Sequence, residues 1–185
     1  PIRLGKCMSF CLDLPESYNL TSFHGGWITE MGRRDTPVQE AKVICESRTG
    51  ASSNRCNPGF LLSVPGANEE WGRVYGFNLL YSGNHYASAQ RSLQGLTRVM
   101  QGINPAGFCR ELAPGECFET PEAVLCISDG GFGGLSQAMH RFVTEHVVPL
   151  YWKSRPRPVL FNSWEGCMFD FNQRRLLDLA GKAKN

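Results

Sequence analysis

The residues best suited to chemistry lie late in the chain, in Asn162-Ser163-Trp164-Glu165 and, five residues further on, Asp170. An indole can stack on the apolar face of a sugar ring or pack on a scaffold, and most tryptophans pack. Glu165 and Asp170 are each a candidate acid or base, or an ordinary loop carboxylate. Glycoside hydrolysis needs two carboxyls roughly 5 Å apart for retention and farther apart for inversion. Two carboxylates on one short loop do not establish such a pair, so the residues alone favour loop roles.

Other constellations are weaker. Ser128-Asp129-Gly130-Gly131-Phe132-Gly133-Gly134 precedes a helical run, as a phosphate-cradling loop does. It matches neither G-x-x-x-x-G-K-[ST] nor G-x-G-x-x-G, and reads instead as a flexible helix entry. Eight cysteines, at 7, 11, 45, 56, 109, 117, 126 and 167, include no CxxC pair. Cys7, Cys11, Cys109, Cys117 and Cys126 sit in apolar runs, where free cysteine serves as a small buried hydrophobe. With four histidines, at 24, 85, 140 and 146, a zinc site would need ligands from remote segments, so no metal and no cofactor is expected. Asn19-Leu20-Thr21 forms an N-glycosylation triplet, a pattern frequent by chance.

These residues must be positioned by a chain of 185, of which 42% are hydrophobic and 20 are glycine. That composition buries a core and turns often. The net charge of +2 comes from 19 basic and 17 acidic residues without a basic run, which argues against nucleic acid. No apolar stretch reaches the roughly 20 residues of a membrane span. The chain opens Pro1-Ile2-Arg3 with neither a signal peptide nor an initiator Met, so it is expected to begin inside a longer protein or after processing.

Up to residue 128 the pattern is of short strands at close spacing: Lys6–Leu14, Asn19–His24, Ala41–Cys45, Gly59–Val64, Gly72–Tyr81, Tyr86–Leu93, Thr97–Ile103 and Ala123–Ser128. Pro65-Gly66-Ala67-Asn68 and Ser82-Gly83-Asn84 supply turn chemistry, and an antiparallel sandwich is expected. A helix follows over Leu135–Val148, with Leu135, Met139, Phe142 and Val143 on one face and Pro149 as its stop. Residues 153–157 read as a linker. Pro158–Trp164 reads as an apolar strand, and Arg174–Ala183 as a helix with Leu176, Leu177 and Ala180 as its stripe. Strand, loop, helix is the opening unit of a βα barrel or sheet. One such unit cannot bury both faces, so truncation is expected.

The motifs then gather into a resemblance. Arg157-Pro158-Val159-Leu160-Phe161-Asn162-Ser163-Trp164-Glu165-Gly166-Cys167-Met168-Phe169-Asp170-Phe171-Asn172 resembles the first barrel strand of glycoside hydrolase family 36, which commonly reads R-P-[VI]-L-[IY]-N-[NS]-W-E-A-T-Y-F-D-F-N. Val74–Asn84 is similar to V-Y-G-F-S-L-V-Y-S-G-N, Gly102–Pro105 to G-I-N-P, and Leu112–Glu122 to L-x-P-G-E-x-F-x-T-P-E. Ser47–Ser53 with Asn57-Pro58 resembles S-R-x-G-x-S-S…N-P, and Gly25–Glu30 resembles G-A-W-x-x-E. These matches run in order along nearly the whole chain.

The resemblance implies a mostly β fold: a β-supersandwich to about residue 121, a linker helix, and the first βα unit of a (β/α)8 barrel. The domain boundaries are set at 1–128, 129–156 and 157–185. It further implies an α-galactosidase that removes terminal α-1,6-linked galactose from melibiose- and raffinose-type oligosaccharides with retention. Trp27 and Trp164 fall on its sugar-contacting positions, and its catalytic carboxylates lie past Asn185. The isolated 185 residues are therefore expected to be inactive. A cytoplasmic homotetramer without nucleic-acid or membrane partners is the expected full-length setting. Two departures stand out: Asn54 replaces a His, and Gly166-Cys167-Met168 replaces Ala-Thr-Tyr beside the sugar site. Selectivity for N-acetylgalactosamine is thus one alternative. A non-catalytic carbohydrate-binding sandwich is the other.

Overall fold

The computed structural model describes residues 1–184. The chain divides into two compact units, Pro1–Phe142 and Val143–Asn185.

In the first unit, eleven strands form three antiparallel sheets. The five-stranded sheet has the order β11 (Ala123–Ser128), β7 (Val74–Leu79), β6 (Cys56–Ser63), β3 (Asn19–His24), β4 (Gly32–Pro37). The four-stranded sheet is β2 (Met8–Leu14), β9 (Thr97–Ile103), β8 (His85–Arg91), β5 (Val43–Glu46). A small ribbon pairs β1 (Ile2–Leu4) with β10 (Arg110–Leu112).

The two larger sheets enclose one core because their strands alternate in the period of two that a half-buried sheet requires. From β7, Tyr75 and Phe77 point inward; from β6 come Phe60 and Leu62, and from the other sheet Ala87, Ala89 and Val99. Phe77 stacks on Phe60 with centroids 4.8 Å apart and on Phe10 at 5.4 Å, while Tyr18 meets Tyr75 edge-on at 5.7 Å. Five rings and the branched aliphatics around them supply most of the apolar burial that holds the sandwich.

On the outer side of β7, position 76 is glycine, and helix α1 (Gly131–Phe142) lies against that side, with Leu135 buried. The expected helix ran to Val148. The α-helix instead ends at Phe142 and widens into a π-helical turn, Val143–Val147, closed by Val148 N–H donating to the Val143 carbonyl at 2.8 Å. Val143, Thr144, Val147 and Val148 are β-branched, and the residue before Pro149 is pushed out of the α region.

Three strands escape the sequence pattern: β1, β4 and β10. β4, Gly-Arg-Arg-Asp-Thr-Pro, has no apolar alternation because it forms the outer edge of its sheet and buries no face in the core.

The cysteines divide. Cys45, Cys56 and Cys167 are buried, as a small hydrophobe would be, but Cys11, Cys109 and Cys117 are exposed. Cys11 sits between Phe10 and Leu12, which both turn toward the core, so the pleat sends it outward despite its apolar neighbours. All eight are free thiols. The glycosylation triplet lies inside β3, between β4 and β6, with Thr21 buried and its hydroxyl donated to Asp35. It is part of a ladder, where an oligosaccharide-transferring enzyme has no access to an extended loop.

In the second unit, three helices are present: α2 (Leu150–Lys153), α3 (Trp164–Cys167) and α4 (Gln173–Lys184). Asn172 caps α4, its Oδ1 accepting from Arg175 N–H at 3.0 Å. The segment expected as a strand, Pro158–Trp164, is not hydrogen-bonded into a sheet, and its last residue opens α3. A strand exists only in a ladder, and the second unit has no other strand among the described residues to complete one. Val159 is 99% exposed. Phe161, Phe171, Leu176, Leu177 and Ala180 line an open apolar cleft of about 660 Å³ along α4.

Candidate functional site

Trp164 stands at the start of α3, set there by an Asx turn in which Asn162 Oδ1 accepts its backbone N–H at 2.9 Å. Phe169 meets its indole edge-on, with centroids 5.0 Å apart and planes at 89°. The edge contact fixes the ring plane and leaves much of the indole open, at 39% exposure. Arg175 of α4 holds the loop between the two rings: Nη1 donates to the Asp170 carboxylate at 2.7 Å and to its carbonyl at 2.9 Å, and Nη2 donates to the Gly166 carbonyl at 3.3 Å. Asp170 is therefore engaged in a loop staple. Glu165 lies in the first turn of α3, where an anionic side chain complements the positive helix end. Met168, after α3, takes φ of 45°, a left-handed conformation rare for a non-glycine residue. The backbone strain falls at a position where the chain departs from the pattern it resembles.

Trp27 is at the tip of the β3–β4 hairpin, between His24 and Gly32. It is 83% exposed, and Ile28 beside it 82%. The tip is tightly wound: a Cβ at Gly25 would come within 2.4 Å of the Thr29 carbonyl oxygen, and Gly26 N–H donates to that oxygen at 3.2 Å. From outside the hairpin, Asn54 Nδ2 donates to Glu30 Oε1 at 3.2 Å, and Asn57 Nδ2 contacts Met31 Sδ at 3.1 Å. The structure thus presents two indoles on braced loops, one in each unit.

The remaining motifs serve the scaffold. Ser47 Oγ donates to the Ala51 carbonyl at 2.6 Å, and Gly50 N–H to Asn84 Oδ1 at 2.7 Å. Ser52 Oγ lies 2.8 Å from the Tyr81 carbonyl and 3.0 Å from that of Gly83. Asn104 Nδ2 reaches Glu46 Oε2 at 3.0 Å and the carbonyls of Ser47 and His85, each at 3.2 Å. Segments far apart in sequence, 46–52, 81–85 and 102–105, form one polar knot that satisfies the loop carbonyls of Ala51, Tyr81 and Gly83 and adds a bond to that of His85.

The glycine-rich turn is likewise structural. Gly131 N–H donates to the Gly72 carbonyl, Phe132 N–H to that of Asn68 and Gly133 N–H to that of Glu69, at 3.0, 3.0 and 2.8 Å. The amides a phosphate would need are occupied, and the glycines permit a close backbone approach in place of the flexible entry expected. Among the described residues, no group of three or more His, Cys, Asp or Glu side chains is placed to hold a metal ion. Phe169 and Arg175 were not singled out by sequence reasoning. Phe169 lies in the Trp164–Asn172 motif and was legible there, whereas nothing in the sequence marks Arg175.

The chain is similar to known proteins along nearly its whole length. Residues 1–113 match the glycosyl hydrolase family 36 N-terminal domain, and residues 117–185 match melibiase. Alpha-galactosidase AgaA of Geobacillus stearothermophilus is 37% identical over 183 residues, 98% of this chain and 25% of its own length. The crystal structure of the alpha-galactosidase from Lactobacillus brevis superposes with a TM-score of 0.93 at 38% identity, over 98% of this chain and 25% of that one. Crystal structures of AgaA variants in complex with raffinose and with stachyose give TM-scores of 0.91 and 0.90 at 37% identity, over 96% of this chain and 25% of theirs.

The chain belongs to glycoside hydrolase family 36. It spans about a quarter of the length of the curated relatives it matches, and its mostly β architecture is that of the N-terminal region of family 36 structures, leading into the melibiase domain.

Proposed function

We propose that the chain forms part of an α-galactosidase that hydrolyses terminal α-1,6-linked galactose from melibiose- and raffinose-type oligosaccharides with retention. In this reading Trp164 and Trp27 contact the sugar, and the catalytic carboxylates lie outside these residues. The observation that carries it is Trp164, braced by Phe169 at 5.0 Å on a loop stapled by Arg175, yet open to solvent on the rest of its ring. A sugar needs such an oriented apolar plane. Stacking alone cannot stabilise charge at an anomeric carbon, which requires a nucleophile and an acid. Asp170 is paired with Arg175 in a loop staple, which supports placing the catalytic pair outside these residues. Relatives named α-galactosidases, one of which binds raffinose and stachyose as variants, support the substrate class.

The test is hydrolysis of a chromogenic α-galactoside by this chain and by a form extended to the full length of the relatives. Activity in the extended form alone, lowered by Trp164→Ala, supports the reading. Activity in the 185 residues would overturn it by giving Glu165 or Asp170 a catalytic role. Cleavage of the N-acetylgalactosaminide but not the galactoside by the extended form would keep the family and change the sugar. We further assign the full-length protein to the cytoplasm as a homotetramer, a setting that suits exposed free thiols such as Cys11, Cys109 and Cys117. Sedimentation of the extended form checks the tetramer.

One observation favours a second reading. Trp27 projects from a hairpin at 83% exposure, as an indole does on a carbohydrate-binding module. Saturable quenching of its fluorescence by free galactose in the 185-residue chain supports binding without catalysis; a flat titration removes it.

A further inference from the structure

The two large sheets differ in width by one strand. β4 closes the five-stranded sheet and β5 the four-stranded one, and a groove of about 420 Å³ is lined by residues of both edge strands. Arg34 and Thr36 of β4 pair with Ser22 and Leu20 of β3. Leu20 belongs to the core, so all four side chains share the inner face of their sheet. Arg34 thus places a charge on a face that elsewhere carries Leu20, Phe60 and Phe77. Ser22 Oγ lies 2.7 Å from His24 Nε2, and His24 Nδ1 lies 3.2 Å from the Arg55 carbonyl, so the floor of the groove is internally bonded. Lys42 and Ile44 stand on the opposite bank, and no carboxylate lines the groove. Among the described residues, neither the Arg34 nor the Lys42 side chain has an ion-pair or hydrogen-bond partner. Arg33, Arg48, Arg73, Arg98 and Arg175, by contrast, each meet a carboxylate. The edge of β5 is open as well. Ser47 N–H donates to the His85 carbonyl at 3.0 Å, which sets residues 43 and 45 in phase to bond β8 and turns the Ile44 N–H and C=O the other way.

We propose that this groove is an interaction surface for an extended acidic segment of a partner protein, which adds to the edge of β5 as a further strand and sets carboxylates against Arg34 and Lys42. Backbone bonds to Ile44 fix the register of the incoming strand, and its alternate side chains point inward over β4, where Arg34 waits without a counter-charge. An apolar strand is the wrong occupant, because it would cover the Arg34 guanidinium and leave the charge unpaired. A basic strand is excluded by repulsion from the same two cations. The proposal is independent of the galactosidase reading, because it uses none of the residues assigned to sugar.

The experiment titrates a fluorescein-labelled peptide of alternating Glu and Val with the 185-residue chain and reads anisotropy, with a peptide of alternating Lys and Val as its counterpart. Saturable binding of the acidic peptide alone is expected. Arg34→Glu should weaken it by about tenfold and let the basic peptide bind instead. Ile44→Pro should weaken it by about fivefold with the fold retained, since the Ile44 N–H is outside the ladder and an edge strand accepts proline there. Equal binding of the two peptides, or unchanged affinity in both variants, overturns the proposal. Full displacement by inorganic phosphate also overturns it, by leaving an oxyanion site in place of a strand site. So does sedimentation showing a peptide-free dimer that Ile44→Pro abolishes, which would give the edge to a second copy of the chain. Far-UV circular dichroism checks that each variant is folded; if Arg34→Glu is not, Arg34→Gln and Ile44→Pro decide.

Discussion

Leu135 rests on Gly76: a methyl group built at position 76 would lie 3.1 Å from Leu135 Cδ2 and 3.3 Å from its Cδ1. The helix reaches β7 at that point because the strand offers no side chain there. The same helix is entered through Gly131, at φ of 66°, where a Cβ would come within 2.2 Å of the Asn68 carbonyl oxygen and 2.6 Å of Trp71 N.

These two glycines differ in what opposes substitution. Gly76→Ala meets the end of a flexible side chain that can shift by a few tenths of an ångström. Gly131→Ala meets backbone and a conformation L-residues avoid. Urea unfolding should show Gly131→Ala destabilising by about 3 kcal/mol or more, and Gly76→Ala by about 1 kcal/mol. Equal losses would mean that α1 is not seated as described.

Asn104 is a second sensitive point. Its amide reaches two buried carbonyls and Glu46, and its Oδ1 accepts from Ala106 N–H at 2.9 Å. Asn104→Ala removes the Asn104 bonds to the Ser47 carbonyl and to Ala106 N–H, while the His85 carbonyl keeps Ser47 N–H and Glu46 keeps Arg48, and should cost about 2 kcal/mol, measured by denaturant midpoint. Asn104→Asp, which removes the donor and sets a second carboxylate beside Glu46, should be worse still. A neutral outcome for either would remove the polar knot as a stabilising element.

His85 sets a pH dependence. It is fully buried, one ring nitrogen lies 2.9 Å from the Cys56 carbonyl, and Nδ1 has no partner. Burial lowers its pKa below the usual imidazole value, against smaller opposing effects of the Cys56 carbonyl and Glu46. The neutral form is thus the native one, and the unfolded chain binds the proton first. Stability should be level above pH 7 and fall as pH drops through about 6.5, by at most about 1.4 kcal/mol per unit, until the native imidazole itself titrates. His85→Gln should flatten that slope between pH 6.5 and 5; an unchanged slope would assign it to other groups.

For the proposed sugar site, Trp164→Ala in the extended chain should lower kcat/KM for an α-galactoside at least tenfold, about 1.4 kcal/mol. Trp164→Phe should recover part of the loss. Phe169→Leu, which removes the edge contact and leaves the indole, should raise KM more than it lowers kcat. A wild-type KM in both Trp164 variants would take the indole out of the sugar site.

Sequence patterning found the strands whose alternation is forced by a shared core, including Asn19–His24, Thr97–Ile103 and Ala123–Ser128 at the observed limits. It could not find β4, since Arg33, Arg34 and Asp35 are placed by ladder hydrogen bonds with no apolar requirement. It read Pro158–Trp164 as a strand from composition, but pairing is a property of neighbours that no local window contains. Trp164 and Trp27 were singled out through the family resemblance, the first on the long motif Arg157–Asn172 and the second on the short segment Gly25–Glu30. The Arg175 staple was not, since it depends on a side chain reaching back nine residues to Gly166. The polar knot was read as separate motifs because only the fold brings 47, 84 and 104 together.

The charged rim of the five-stranded sheet has a consequence for association. β4 carries Arg33, Arg34 and Asp35 exposed along its length and ends at Pro37, which has no N–H to offer an incoming strand. A neighbouring chain seeking to extend the sheet would bury cations and meet a missing donor, so runaway fibril-type stacking is barred on that side. Sheet extension should therefore run through the apolar opposite edge, β11, where Leu125 and Ile127 are exposed, and a charge placed at Ile127 should suppress it.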